Sequence, residues 1–324
     1  MTVLGMNRRN ALIMSHNSRA AIMAVNQKFQ TKKRLAALGV PVPETLALIE
    51  DEVQLAEFDF ATLPDAFAVK PNRGRRGEGV ILVDGRNAKG WRKLNGETLT
   101  PRMLREHVNC IMRGELSLEG ANADAALFEP LIRTHPDFAR LVPFGLPDLR
   151  IICLGDVPLM AMTRLPTTES RGRANLHQGA VGAAIDFRTG AIFRAVLGTE
   201  EIEYHPSTGE CLIGEPIPMW DDAVRAAKRC SAALDLGYVG VDIVIDAERG
   251  AQVLECNAFP GLEIQNVNGA GLAWRLDMAQ RNLKRRQTRS QMRSQTRTTF
   301  SVDRIIRRAA TQIVESWMPP GLAA

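Results

Sequence analysis

Nowhere in its 324 residues does the chain hold an uninterrupted apolar run of about 18, the length that reads as a membrane-spanning helix. Its opening, Met1 to Asn10, has no apolar segment followed by a small-residue cleavage site, so no secretory signal is read there. Together these absences predict a cytoplasmic protein without a membrane span. The five cysteines, Cys110, Cys153, Cys211, Cys230 and Cys256, are odd in number, widely spaced and never arranged as C-x-x-C. That pattern argues against a disulfide framework and a zinc site, and predicts reduced, buried thiols. Neither G-x-x-x-x-G-K-[ST] nor G-x-G-x-x-G occurs, which removes the Walker and Rossmann routes to nucleotide binding. Histidines number only five, and no Ser/His/Asp or Cys/His constellation stands out among them.

What is present is an ordinary globular composition. At 45% hydrophobic residues the chain supports one large domain or two modest ones. Its net charge of +5 is unevenly placed. Of 41 Lys+Arg and 36 Asp+Glu, 10 and 3 fall in residues 277–324, leaving 31 and 33 before them. The body is therefore slightly acidic, and the basic character belongs to the tail. Residues 281–299 are almost entirely Arg, Gln, Ser and Thr, too poor in core-forming residues to pack. From Val302 to Trp317 apolar residues recur at helical spacing, as in one short amphipathic helix. Basic runs attract polyanions without specificity, so the tail reads first as a solvated extension and second as a contact for RNA, a ribosome or an acidic partner.

The most informative stretch is Tyr238–Asp246 with Ala251–Gly261. Two apolar β-branched runs flank Ala247-Glu248-Arg249-Gly250, a predicted four-residue hairpin loop. Pairing Asp246 with Ala251 sets Asp242 directly opposite Glu255, both on one face, with Asn257 two residues farther along that same face. Opposed carboxylates repel. On an open sheet they could be solvated, but the surrounding Val241, Ile243, Val253, Leu254 and Cys256 imply a strand covered on both sides. A positive charge is required between them. The oxygen-only set Asp242, Glu255 and Asn257 suits Mg²⁺ or Mn²⁺, the former commonly shared with a substrate's phosphates.

Other elements are legible upstream. A helix is predicted over about 18–39, ending at Gly39-Val-Pro. Ala66–Lys70 reads as a short buried strand, joined through Gly74, Gly77 and Gly79 to the strand Val80–Val83. Such glycines let backbone N–H groups approach phosphate oxygens, and Lys70 adds a point charge at the strand end. Ala125–Ile132 is another apolar strand. Asp148–Leu154 and Val157–Leu165 form a pair turning at Gly155-Asp156, a polar glycine-bearing loop follows Arg164, and a helix is expected over about 220–236.

In this order, Val-Lys-Pro with its glycine loop, Glu-Pro-Leu-Ile, Asp-x-Arg, Arg-x-Asn-Leu-His, Gly-Val-Asp and Glu-x-Asn-Ala-x-Pro-Gly-Leu resemble the ATP-grasp enzymes, specifically the RimK-type and alpha-L-glutamate ligase-like proteins. The resemblance covers roughly residues 5–276. It implies an α+β ATP-grasp fold whose two α/β lobes clasp ATP, without the separate N-terminal domain of full-length RimK-type ligases. Lys28 and Lys70 match the ATP-phosphate lysines, and Glu129 with the backbone near Leu131 matches the adenine strand. Arg150 and Arg173 match arginines facing the transferred phosphate and the acyl intermediate, with Asn175 and His177 in the same loop. Asp242, Glu255 and Asn257 match the Mg²⁺ ligands.

The implied activity is ATP-dependent carboxylate–amine ligation through an acylphosphate, adding glutamate or a similar amino acid to a peptide or protein amine. Alternatives are a ligase for a small metabolite or cell-envelope precursor, and an inactive nucleotide-binding scaffold. Expected divisions are 1–64, a helical start; 65–132, an ATP-clamping part; 133–276, the lobe with the metal and acylphosphate site; and 277–324, the basic tail. Arg75 and Arg76 depart from the small residues of relatives' glycine loops, and Phe259 stands where the closest relatives carry arginine. The acceptor surface is expected from a partner or from a second subunit of a homo-oligomer.

Overall fold

Two antiparallel sheets, each with its own apolar core, organise the chain. The computed structural model describes residues 2–74, 78–116, 123–286 and 288. Helices α1 (Met6–His16), α2 (Arg19–Val25) and α3 (Lys28–Ala37) lead into the first sheet. Its strands are β1 (Ala47–Ile49), β2 (Phe67–Pro71), β3 (Ile81–Asn87), β4 (Gly90–Lys93), β5 (Thr98–Leu99) and β6 (Ala126–Pro130), in spatial order β1-β6-β2-β3-β4-β5. Helices α4 (Glu52–Glu57) and α5 (Pro101–Met112) belong to this lobe. The Thr100 hydroxyl caps α5 by accepting from the Met103 N–H, and Pro101 suits its first turn. Leu104, Val108 and Ile111 then repeat at helical spacing and bury against Phe67, Trp91 and Phe128.

After the short α6 (Pro136–Ala139) comes the second sheet. Its strands are β7 (Asp148–Leu154), β8 (Val157–Leu165), β9 (Val181–Ile185), β10 (Ile192–Leu197), β11 (Glu200–Ile202), β12 (Tyr238–Asp246) and β13 (Gly250–Asn257), in spatial order β11-β10-β9-β8-β7-β12-β13. Helix α7 (Trp220–Leu234) packs its small residues Ala223, Ala226, Ala227 and Cys230 into this core. Helix α8 (Glu263–Asn268) packs against β8 and β9. All nine residues of β12 are buried, as the expectation of a doubly covered strand requires.

Three sequence expectations are corrected. The helix over 18–39 is two helices, broken at Asn26-Gln27, with Gln27 in an extended conformation. The break aims the start of α3 at the end of β2, where the Lys28 N–H donates to the Asn72 carbonyl (3.2 Å) and the Phe29 N–H to the Asn72 side chain (2.8 Å). The β12–β13 turn is one residue shorter than expected. Asp246 pairs with Gly250 rather than Ala251, since Gly250 takes up the left-handed conformation that closes the turn. Finally, β13 is bulged at Leu254. The register steps between Asp242/Glu255 and Ile243/Val253, so Asp242 does stand opposite Glu255.

The segment joining the lobes is fastened to this hairpin. The Asp246 carboxylate accepts from the N–H groups of Arg133 (3.0 Å), Glu248 (2.9 Å) and Arg249 (2.8 Å), and the Ala247 N–H donates to the Arg133 carbonyl. Both sheets lie within one compact unit, Met1–Trp274; a second unit runs from Arg275 to Ala324 and is helical over 275–286. The amphipathic helix expected over Val302–Trp317 lies outside the described residues, as do Arg75, Arg76 and Gly77. Among the described residues no helix is long and apolar enough to cross a membrane.

Candidate active site

Two adjoining cavities meet at Leu254 and Glu255. The first, about 550 Å³, is lined by Lys28, Lys70, Gly74, Glu129 and Leu131, with apolar walls from Val80, Leu82 and Ile132. The second, about 730 Å³, is lined by Arg150, Arg173, Asn175, Asp242 and Asn257, together with His177 and Phe259. Glu255, Leu254, Leu146 and Gly172 line both. Residues scattered over 230 positions of sequence are thus gathered at one cleft. Gly79 is not part of either lining. It holds φ +69°, an added Cβ would lie 2.9 Å from Pro71 Cγ, and its carbonyl bonds to the His107 ring, so its role is to shape the loop.

In the first cavity the charges are paired with one another. Glu129, only 2% exposed, is gripped by Lys32 at Oε1 and by Lys70 at Oε2, the latter at 2.7 Å. Burial opposes ionisation of Glu129, but the two ammonium groups prevail and hold its carboxyl below the ordinary value. Burial first, then repulsion from Lys70, pushes the Lys32 amine down to about 7. The Lys28 ammonium donates to the Gly74 carbonyl. Near Leu131 the backbone N–H is turned back to the Ala66 carbonyl (3.4 Å).

The floor of the second cavity is an ionic cluster on adjacent strands. Arg150 pairs in register with Asp242, and Asp148 with Arg164. Arg150 Nε and Nη2 reach the two Asp242 oxygens at 2.7 and 2.6 Å. Arg164 bonds Asp148 at 2.6 Å and adds a 3.1 Å contact to Asp242. Burial alone would raise the Asp242 carboxyl; Arg150 and Arg164 overcome it and keep the group below its ordinary value, while for Asp148 burial wins and its carboxyl is pushed up. For Asp242 the expected positive charge is supplied by guanidinium groups. Arg150 has Asp242 as its partner.

The bulge at Leu254 decides which way the acids face. Ala251 and Val253 point into the core of the second lobe; beyond Leu254 the core-facing residues become Cys256 and Ala258. Glu255 and Asn257 are thereby turned to the cleft. Glu255 has no hydrogen bond or ion pair among the described residues, whereas Asn257 Oδ1 accepts from the Phe259 N–H (2.8 Å). A hard cation fits this oxygen-only set, with Glu255 as the open donor and Asp242 available once Arg150 turns away. No group of three or more His, Cys, Asp or Glu that could hold a metal ion is found among the described residues, and the set expected from the sequence counts the Asn257 amide as its third member.

Loop residues complete the walls. The Asn175 side chain accepts from the His177 N–H (3.0 Å), fixing the turn that presents both, and Arg173 reaches Gln178 at 3.4 Å. Gly145 and Gly172 come together where the cavities adjoin. Gly145 has φ +95°, and a Cβ there would fall 2.2 Å from the Gly172 carbonyl oxygen. Lys32, Arg164 and these glycines were not singled out as site residues from sequence. Lys32 was detectable as the residue one helical turn beyond Lys28, on the same face. Arg164 was not, because a register shift in the β7–β8 pair moves it opposite Asp148.

The model of a family described as sugar-transfer associated ATP-grasp matches residues 7–281. The chain is 24% identical over 258 residues to a probable alpha-L-glutamate ligase of Mannheimia succiniciproducens, covering 79% of this chain and 64% of that protein. It is 28% identical over 262 residues to a probable alpha-L-glutamate ligase of Xanthomonas axonopodis pv. citri, covering 79% and 65%. The chain therefore spans just under two thirds of the length of these relatives. Solved structures similar to it include a D-alanine–D-alanine ligase from Bacillus anthracis complexed with ATP, at 15% identity and a TM-score of 0.46, covering 81% of this chain and 67% of that one. The ATP-grasp ligase PsnB complexed with a minimal precursor is similar at 20% identity and a TM-score of 0.38, covering 76% and 56%.

Proposed function

Since the chain belongs to the sugar-transfer associated ATP-grasp family, we propose that it is an ATP-dependent carboxylate–amine ligase acting through an acylphosphate. The observation that carries this reading is the junction of the two cavities at Glu255: lysines line one side, arginines the other, and the acid stands between them. The first cavity takes the nucleotide, with Lys28 and Lys70 on its phosphates and the strand at Glu129–Leu131 beside its base. The second takes the carboxylate donor and the amine.

In the first step the donor carboxylate oxygen attacks the γ-phosphorus and ADP leaves. In the second the amine nitrogen attacks the acyl carbon, inorganic phosphate leaves and the nitrogen sheds a proton. Arg150 and Arg173 orient the donor and face the oxygens that gain charge; losing one such donor typically costs about 10²–10³ in rate. Asn175 positions the loop that carries Arg173. Asp242, Glu255 and Asn257 are the groups that would hold Mg²⁺ or Mn²⁺, which when bound neutralises phosphate charge. No protein nucleophile is needed at either step.

The names of the relatives favour glutamate, or a similar amino acid, as one substrate. The description of the family favours a second reading of the acceptor, a small metabolite or envelope precursor rather than a peptide or protein. Release of ADP with Mg²⁺ across a panel of amino acids paired with peptide and small-molecule amines tests both. Turnover stimulated by a carboxylate–amine pair is expected; its absence throughout the panel would leave a nucleotide-binding scaffold.

A further inference from the structure

We propose that Lys32 is the standing partner of Glu129, and that Lys70 is thereby free to leave Glu129 for the phosphates of a bound nucleotide. The inference rests on the nucleotide reading of the first cavity. Its starting point is that a single buried carboxylate is held by two ammonium groups, one on each oxygen.

The two lysines are differently anchored. Lys70 and Glu129 stand on neighbouring strands of the first sheet, β2 and β6, and both line the cavity. Lys32 comes from α3, which packs on α7 in the second lobe, and it is not part of the cavity lining. The first turn of α3 is tied to Asn72 by two hydrogen bonds, so the backbone behind Lys32 is fixed. Lys32 is 4% exposed and Lys70 9%.

A carboxylate this buried cannot be left without a counter-charge. Were Lys70 its sole partner, moving Lys70 to a triphosphate would strip Glu129, and the nucleotide would have to compete with a buried ion pair. With Lys32 in place, Glu129 keeps one amine partner, which takes up its charge as the repulsion from Lys70 that depresses it is withdrawn, while Lys70, a compact charge on a flexible stem, moves by side-chain rotation alone. Lys32 is thus a positioning residue: it acts on the nucleotide through Glu129 and Lys70.

A double-mutant cycle tests this, with calorimetric titration of the full chain by the non-hydrolysable analogue AMPPNP in Mg²⁺. Lys32→Met is expected to weaken binding about tenfold or more in the wild-type background, because Lys70 is then trapped on Glu129. Made in a Glu129→Gln background, the same change is expected to cost less than about threefold. Equal losses in both backgrounds, or none in the wild type, would overturn the inference alone. Failure of the wild-type chain to bind AMPPNP would instead remove the proposed function, and this inference with it. Should Lys32→Met not fold, a crystal structure of the wild-type AMPPNP complex decides: Lys70 on a phosphate with Lys32 still on Glu129 supports the assignment, and Lys70 unmoved refutes it.

Discussion

Arg150 lies directly across the β7–β12 ladder from Asp242 and holds both of its carboxylate oxygens, at 2.7 and 2.6 Å. A residue proposed to face the reacting phosphate is therefore clasped to a residue proposed to hold the cation. Asp242 is counter-ion to a buried arginine pair and has the ligand role only as a proposed second task. Glu255, opposite it on β13, has no ion pair among the described residues and only the second task.

The two acids should accordingly part company on mutation. Asp242→Asn leaves Arg150 and Arg164 under-compensated and is expected to lose turnover and also about 3–5 kcal/mol of stability. Glu255→Gln should lose turnover with the melting temperature unchanged. Thermal melts beside ADP-release assays read this directly, and a Glu255→Gln chain with wild-type rates would contradict its assignment.

Metal dependence should follow the nucleotide. With Asp242 occupied by Arg150, calorimetric titration of the free chain with MgCl₂ is expected to be flat, and heats should emerge once AMPPNP is present. Chelation should stop ADP release and Mn²⁺ should restore it, given the oxygen-only donors. Tight Mg²⁺ binding by the free chain would show that Arg150 does not mask the site.

Backbone contact at the junction of the cavities permits a third test. Alanine at 145 must adopt φ near +95° and displace the Gly172 carbonyl. Gly145→Ala is expected to cost on the order of 1–3 kcal/mol and to raise KM for the nucleotide, since both glycines line the first cavity. Unchanged denaturation and kinetics would mean the two loops separate without consequence.

Stability should also carry a signature of Lys32. Burial holds its pKa at about 7 in the folded chain, below the ordinary lysine value of 10.5, with Lys70 on β2 and Glu129 on β6 as its charged neighbours. Between these values the unfolded chain binds a proton that the folded chain does not. This group's share of stability therefore rises with pH across that window, by up to about 1.4 kcal/mol per unit. Below 7 the burial cost is felt in full. Denaturant titrations at pH 7 and pH 9 should show the gap between wild type and Lys32→Met moving in favour of wild type at the higher pH; a gap that is constant with pH would remove the assignment.

Much of the fold was readable because its signals are local. The limits of β7 and β8 match the apolar runs that flank Gly155-Asp156, and β12 stands out as a covered strand by its composition. The facing of Asp242 and Glu255 was inferred from a turn one residue too long, and holds because the bulge at Leu254 restores the missing residue. Compensating irregularities of this kind leave no periodic trace. The break between α2 and α3 was hidden for a related reason: Asn26-Gln27 carries neither Gly nor Pro, and the chain bends there for tertiary bonds to Asn72. Partnerships such as Lys32 with Glu129, 97 residues apart, were beyond any reading of spacing.

Leu254 gives the terminal strand a demand that substitution tables miss. Another apolar side chain in its place keeps the local count, so the cleft should tolerate it. Excising that one residue would leave an unbroken pleat in which Glu255 directly follows Val253, so the acid should still face the cleft and Cys256 the core. What would exchange thiol and acid is straightening the bulge at full length, since alternation from Val253 would then drive the Glu255 carboxylate into hydrocarbon.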